Sequence, residues 1–240
     1  MIDPDNPYTK MQREQYEREA DMMDEQDHQS HNNNPEYWAK LLADVKDGQM
    51  RTKNGLDFGC GTGRNTRNLA RLMDRVWGCD ISAANLVHAR RRASAEALDN
   101  IEYWQTNGIG LNTPDDNPSG DPYMANVFDF VMSTIVFQHI PVRDIRLAIW
   151  RHIHGAMKLD GIFSFQMGFG PPTGTKKMTP YMENNYAAMA TNGHMDCYVE
   201  NEDQVAEDLL EIGFSVVTVD FGRTWEDPGH SKWIYLRAVK

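Results

Sequence analysis

Chemistry-bearing residues fall in a few short stretches of the 240-residue chain. The stretch Leu56-Asp57-Phe58-Gly59-Cys60-Gly61-Thr62-Gly63-Arg64-Asn65-Thr66 reads as a buried strand that breaks into a glycine-rich turn and opens a helix near Thr62 or Gly63. Alternating glycines let the backbone turn tightly with no side chain in the way. The unpaired N–H groups and dipole of a helix start can hold a carboxylate or phosphate there. The next strand, Val76-Trp77-Gly78-Cys79-Asp80, ends in an acid about 20 residues past the first glycine, where a carboxylate can take both hydroxyls of a ribose. The nicotinamide and flavin fingerprint is G-x-G-x-x-G, whereas these glycines follow D-x-G-x-G-x-G, which disfavours a nicotinamide-dependent reductase. Farther on, His139 sits in Gln138-His139-Ile140-Pro141 at a helix start. Its imidazole either takes a proton near neutral pH or only holds the chain there.

These stretches resemble the class I S-adenosylmethionine-dependent methyltransferases, whose first two motifs match LDFGCGTGRNT and the acid at Asp80. The fourth motif is similar to Val127–Thr134 with the Gln-His-Ile that follows. The resemblance covers about Pro35 to Lys240, with its strong motifs in the first two-thirds. It implies an α/β, Rossmann-like, doubly wound fold: a mostly parallel seven-stranded sheet with an antiparallel strand near the C-terminus. It also implies S-adenosylmethionine as cofactor and S-adenosylhomocysteine as product. Cofactor contacts then fall on Gly59, Cys60, Gly61, Thr62 and Gly63, on Asp80 and Ile81, and on Thr134 and Gln138. Asp57 orients the turn, reaches the cofactor's amino group through water, or is a buried acid paired with local N–H groups. Where the family commonly has an Asp on the adenine amino group, this chain has Asn107 followed by Gly108, and the amide oxygen can accept the same bond. Transfer from a sulfonium is an in-line displacement with a neutral leaving group, and positioning alone supplies about 7–11 kcal/mol. His139 is the candidate base, and no metal site is called.

Helices and strands of βαβ length must carry these stretches, with a parallel sheet and right-handed crossovers. Strands are predicted at about 54–58, 76–80, 101–106, 127–134, 162–167, 214–221 and 233–239. Ser82 is a good N-cap, Asn201 with Gln204 a capping box, and Lys158-Leu159-Asp160-Gly161 a turn. A helix begins at Pro35, carries Tyr37, Trp38, Leu41, Leu42 and Val45, and ends at Gly48. Residues 35–240 form the cofactor-binding domain. Residues 1–34 form an arm, either a lid that brings Tyr8, Tyr16 and Tyr37 to the pocket or a partly ordered surface tail. Residues 168–200 read as a substrate lid with a Met-rich wall.

A formal charge of −11 weighs against a nucleic-acid partner and suits a cationic cofactor or substrate. No apolar run approaches the roughly 20 residues of a membrane span, and MIDPDNPYTK has no signal pattern, so a cytoplasmic protein is expected. The three cysteines show no metal spacing and read as buried filler. The expected activity is methyl transfer to nitrogen or oxygen of a small-molecule acceptor. Binding of the cofactor without transfer, or action on a protein, is the competing reading.

Overall fold

Buried strands of the predicted kind build one sheet, described here from a computed structural model over residues 2–28, 39–45, 53–111, 124–172, 177–188, 196–222 and 230–240. Its strands are β1 (Asn54–Phe58), β2 (Arg75–Asp80), β3 (Ile101–Gln105), β4 (Phe128–Ser133), β5 (Met157–Phe169), β8 (Val216–Gly222) and β9 (Lys232–Val239). Their order is β3-β2-β1-β4-β5-β9-β8, so strand order reverses between β1 and β4. All neighbours pair parallel except β9, which runs antiparallel to both β5 and β8. This is the seven-stranded arrangement expected from the sequence.

The helices are α1 (Pro7–His28), α2 (Arg64–Ala70), α3 (Ala83–Ala95), α4 (Arg143–Ala156) and α5 (Glu202–Ile212). In α4, Ile145, Ile149, Trp150 and Ile153 recur at helical spacing and are buried in one cluster with Phe163 and Phe165 of β5. Leu69 and Met73 pack with Phe130, Met132, Leu42 and Val45 in a second cluster. Residues of the central strands feed these two clusters, which is why those strands are mostly apolar.

Local capping follows the sequence. Ser82 Oγ accepts from Asn85 N at 3.1 Å, and Asn201 with Gln204 makes the capping box of α5, which ends at Gly213. The predicted turn at 158–161 differs: it is absorbed into β5 as a bulge. Met157 pairs with Phe128 and Ile162 with Phe130, so extra residues loop out on one side, with Asp160 at φ 62°. The excursion after β5 is not wholly irregular, because β6 (Thr179–Pro180) and β7 (Cys197–Tyr198) pair in parallel, and Val142 bridges Asn184. Residues 39–41 are helical, but the predicted start at Pro35, with Tyr37 and Trp38, and the stop at Gly48 lie outside the described residues. Most of the stretch 111–126, rich in Pro, Gly, Asn and Asp, also does.

Candidate active site

The turn after β1 is hung from β2: Gly59 N and Cys60 N both donate to Cys79 O, at 2.8 and 3.0 Å. Gly59 has φ 72°, and a Cβ there would sit 2.3 Å from Val136 Cγ2. At Gly63, φ 79°, a Cβ would lie 2.7 Å from Tyr103 Oη and 2.9 Å from Ala89 Cβ. Only glycine suits either position. Asn65 Nδ2 donates to Thr134 Oγ1 at 2.7 Å and ties the start of α2 to the end of β4. The chain beyond β4 turns through Ile135 at φ 57°, costly for a β-branched residue and a sign of a functional constraint.

A cavity of about 540 Å³ opens at this reversal point, within the range of small-molecule sites. Gly59, Cys60, Gly61, Thr62, Asp80, Ile81, Gly108, Thr134, Ile135 and His139 line it, together with Asn65 and Asn85, to which the sequence alone assigns no role. Four named positions stay behind the lining. The Asp57 carboxylate accepts from Thr66 Oγ1 at 2.7 Å, and Asn107 Oδ1 turns back to Ile109 N at 3.1 Å. Gly63 is covered by Tyr103 and Ala89, and Gln138 is buried.

Asp80 shows how the cavity is charged. Its carboxylate accepts from Gly61 N and Ser82 N at 2.9 Å each and from Asn85 Nδ2 at 3.3 Å. Burial pushes its pKa up, and these donors oppose the rise. Burial also raises the Cys60 thiol far above its usual range, so it is no thiolate nucleophile.

Helix α1 forms the opposite wall through Gln12, Tyr16, Glu19, Met22, Met23 and Gln26. Of the arm's tyrosines, Tyr16 lines the cavity, Tyr8 is buried and donates to His139 O at 3.3 Å, and Tyr37 lies outside the described residues. Burial, then Asp80, Asp196 and Glu19, push the Tyr16 phenol far above its usual range, so it serves as a donor rather than a base. The helix is seated by polar contacts: Glu17 accepts from Ala83 N and Ala84 N at 2.7 and 3.0 Å, capping α3 with a carboxylate. Asp24 accepts from Arg91 and Arg92 at 2.5 Å each.

That last contact carries a pH prediction. The hydrogen bond from Arg92 holds the Asp24 carboxyl below the usual range, against burial. The stabilisation is present above the unfolded value of about 4 and is lost as pH falls through the lower folded value. Below about pH 4, therefore, α1 should lose hydrogen-exchange protection while the sheet keeps it; Asp24→Ala should do the same at neutral pH. Unchanged protection in both cases would refute the clamp.

His139 lies in a 3₁₀ turn at Phe137–His139 and lines the cavity. Its Nδ1 is 2.5 Å from Asp196 Oδ1, whose side chain is 1% exposed. Asp196 belongs to the excursion after β5, and no spacing in the sequence ties it to His139.

Residues 56–163 match the family model described as a methyltransferase domain. Comparison with curated proteins gives no match. Among solved structures, Haemonchus contortus phosphoethanolamine N-methyltransferase 2, in complex with phosphomonomethylethanolamine and S-adenosylhomocysteine, is similar in fold. The TM-score is 0.62 at 19% identity over 87% of this chain and 53% of that one. The present chain thus spans about half the length of that relative. A DhpI–SAM–HEP complex matches over 97% of this chain and 98% of its own, with TM-score 0.62 and 19% identity. An S-adenosylmethionine-dependent methyltransferase from Mesorhizobium loti matches at TM-score 0.63 and 17% identity, over 87% and 99% of the two chains. The structural likenesses show the fold, and the methyltransferase-domain match is confined to residues 56–163, less than half of the chain. Two of these neighbours are solved with S-adenosylmethionine or its product S-adenosylhomocysteine bound. The site fits that group: bare backbone at Gly59 and Gly61, a carboxylate at Asp80 and enough volume face one space.

Proposed function

We propose that this enzyme methylates a nitrogen or oxygen atom of a small-molecule acceptor enclosed beneath α1, with His139 as the proton acceptor. One observation carries the reading: side chains of α1 roof the cavity that the glycine turn, Asp80 and His139 share. A small molecule can be engulfed under such a roof, whereas a protein side chain would have to displace it. On this reading residues 1–34 are the lid, 35–240 the catalytic domain, and 168–200 the insertion that shapes the acceptor side. The neighbours solved with phosphomonomethylethanolamine and with HEP support a small acceptor.

Bound S-adenosylmethionine supplies an electrophilic methyl group on a sulfonium that departs as a neutral thioether. The chain's own contribution is placement. Gly59 to Thr62 and Asp80 hold one reactant, α1 closes the space against water, and His139 accepts the proton the acceptor gives up. Among the described residues no helix is long and apolar enough to cross a membrane, and no group of His, Cys, Asp and Glu is arranged to hold a metal. The three cysteines are free and buried, which supports a reducing compartment such as the cytoplasm as the place of work.

The test is transfer of labelled methyl from S-adenosylmethionine into a size-fractionated cell extract, with the Asp80→Ala protein as control. Label in the small-molecule fraction is the expected result. Label confined to macromolecules, or none above control, overturns the proposal.

A further inference from the structure

We infer that Asp196, backed by His230, is a positioning residue for His139, and that the acceptor is therefore one that must shed a proton: an ammonium nitrogen or a hydroxyl, not a carboxylate. The inference rests on His139 serving the acceptor, as proposed above.

Its basis is a row of three side chains, of which Asp196 and His230 are buried and His139 is half-buried. Asp196 is 1% exposed; one oxygen lies 2.5 Å from His139 Nδ1 and the other 3.7 Å from His230 Nε2. An ionised carboxylate only accepts, so Nδ1 of His139 must carry the hydrogen. His230 is itself buried, folded so closely over β5 that a Cβ on Gly168 would fall 2.1 Å from its ring. Neither of its ring nitrogens has a hydrogen-bond partner among the described residues. Leaving them so is costly, and Asp196 Oδ2 is within about half an ångström of hydrogen-bond reach. Both supports come from outside the cofactor motifs, Asp196 just before β7 and His230 just before β9.

The arrangement makes Nε2 the basic nitrogen of His139 and lets the carboxylate stabilise the imidazolium once it forms. A hydroxyl passes its proton to Nε2 as an oxygen lone pair bonds the methyl carbon and the carbon–sulfur pair stays on sulfur; an ammonium passes its proton to Nε2 first, which frees the nitrogen lone pair for the same displacement. An acceptor whose reacting atom is already bare would have no use for the pair.

The test is two-bond ¹⁵N–¹H correlation on the intact chain labelled at histidine and saturated with S-adenosylhomocysteine, with His139 assigned through His139→Gln. We expect His139 protonated at Nδ1 in the native protein, shifted away from that form in Asp196→Asn, and unchanged in His230→Gln, which keeps a donor. A native His139 protonated at Nε2 overturns the inference even if the Asp196 variant does not fold, and so does an unchanged pattern in that variant. Transfer into the small-molecule fraction should fall about 10²–10⁴-fold in Asp196→Asn. The KM for S-adenosylmethionine should stay within about twofold. Native enzyme that labels only macromolecules refutes the proposed function, and the tautomer measurement then judges Asp196 separately.

Discussion

Asp80→Ala is expected to weaken S-adenosylhomocysteine binding by about one to two powers of ten in isothermal titration calorimetry, the loss of one charge-assisted hydrogen bond worth about 1.5–3 kcal/mol. The magnitude follows from how the carboxylate is used. Of roughly four acceptor directions, three are taken by Gly61 N, Ser82 N and Asn85 Nδ2, which leaves one for a ribose hydroxyl. Removing the group also frees Gly61 N, so the glycine turn loses the anchor that keeps it against β2. Because burial raises the Asp80 pKa, the native affinity should begin to fall on acidification at a higher pH than an ordinary carboxylate would allow. Undiminished affinity in a folded Asp80→Ala protein would mean that the cofactor lies elsewhere.

His139→Ala is expected to reduce methyl transfer about 10²–10⁴-fold at saturating cofactor, the usual worth of a positioned proton acceptor. S-adenosylhomocysteine affinity should change little. This variant isolates the imidazole well, because the backbone carbonyl of residue 139 still accepts from Tyr8 Oη and Gln12 Nε2 and keeps α1 seated. Turnover retained at every pH would reduce His139 to a residue that holds the chain.

The structural features around this site that are legible in the sequence are those whose cause is local. The glycine turn, the acid closing β2, the cap at Ser82 and the capping box at Asn201 each depend on a few neighbouring residues. Strand order follows from the same patterns with the handedness of βαβ units. Asp196 could not be found that way, since only the folded excursion after β5 brings it to His139. Nor does spacing reveal which way a side chain turns at the end of a strand. Asn107 stands in the right place yet spends its oxygen on Ile109 N, and Asp57 spends one of its own on Thr66. The bulge that takes 158–161 into β5 is likewise set by pairing with β4 and not by its turn-forming residues.

The position of β9 between β5 and β8 has a consequence for biosynthesis. Both partners precede it in the chain, and among the described residues β8 pairs with the sheet through β9 alone. A nascent polypeptide can therefore assemble β1 to β5 as it emerges, but β5 keeps one open edge over its 13 residues until residues 232–239 have left the ribosome. An open apolar edge invites pairing with other chains. The last strand of this sheet in chain order is thus the one that ends the exposure to aggregation, and translation stalled just short of it leaves the sheet at its stickiest.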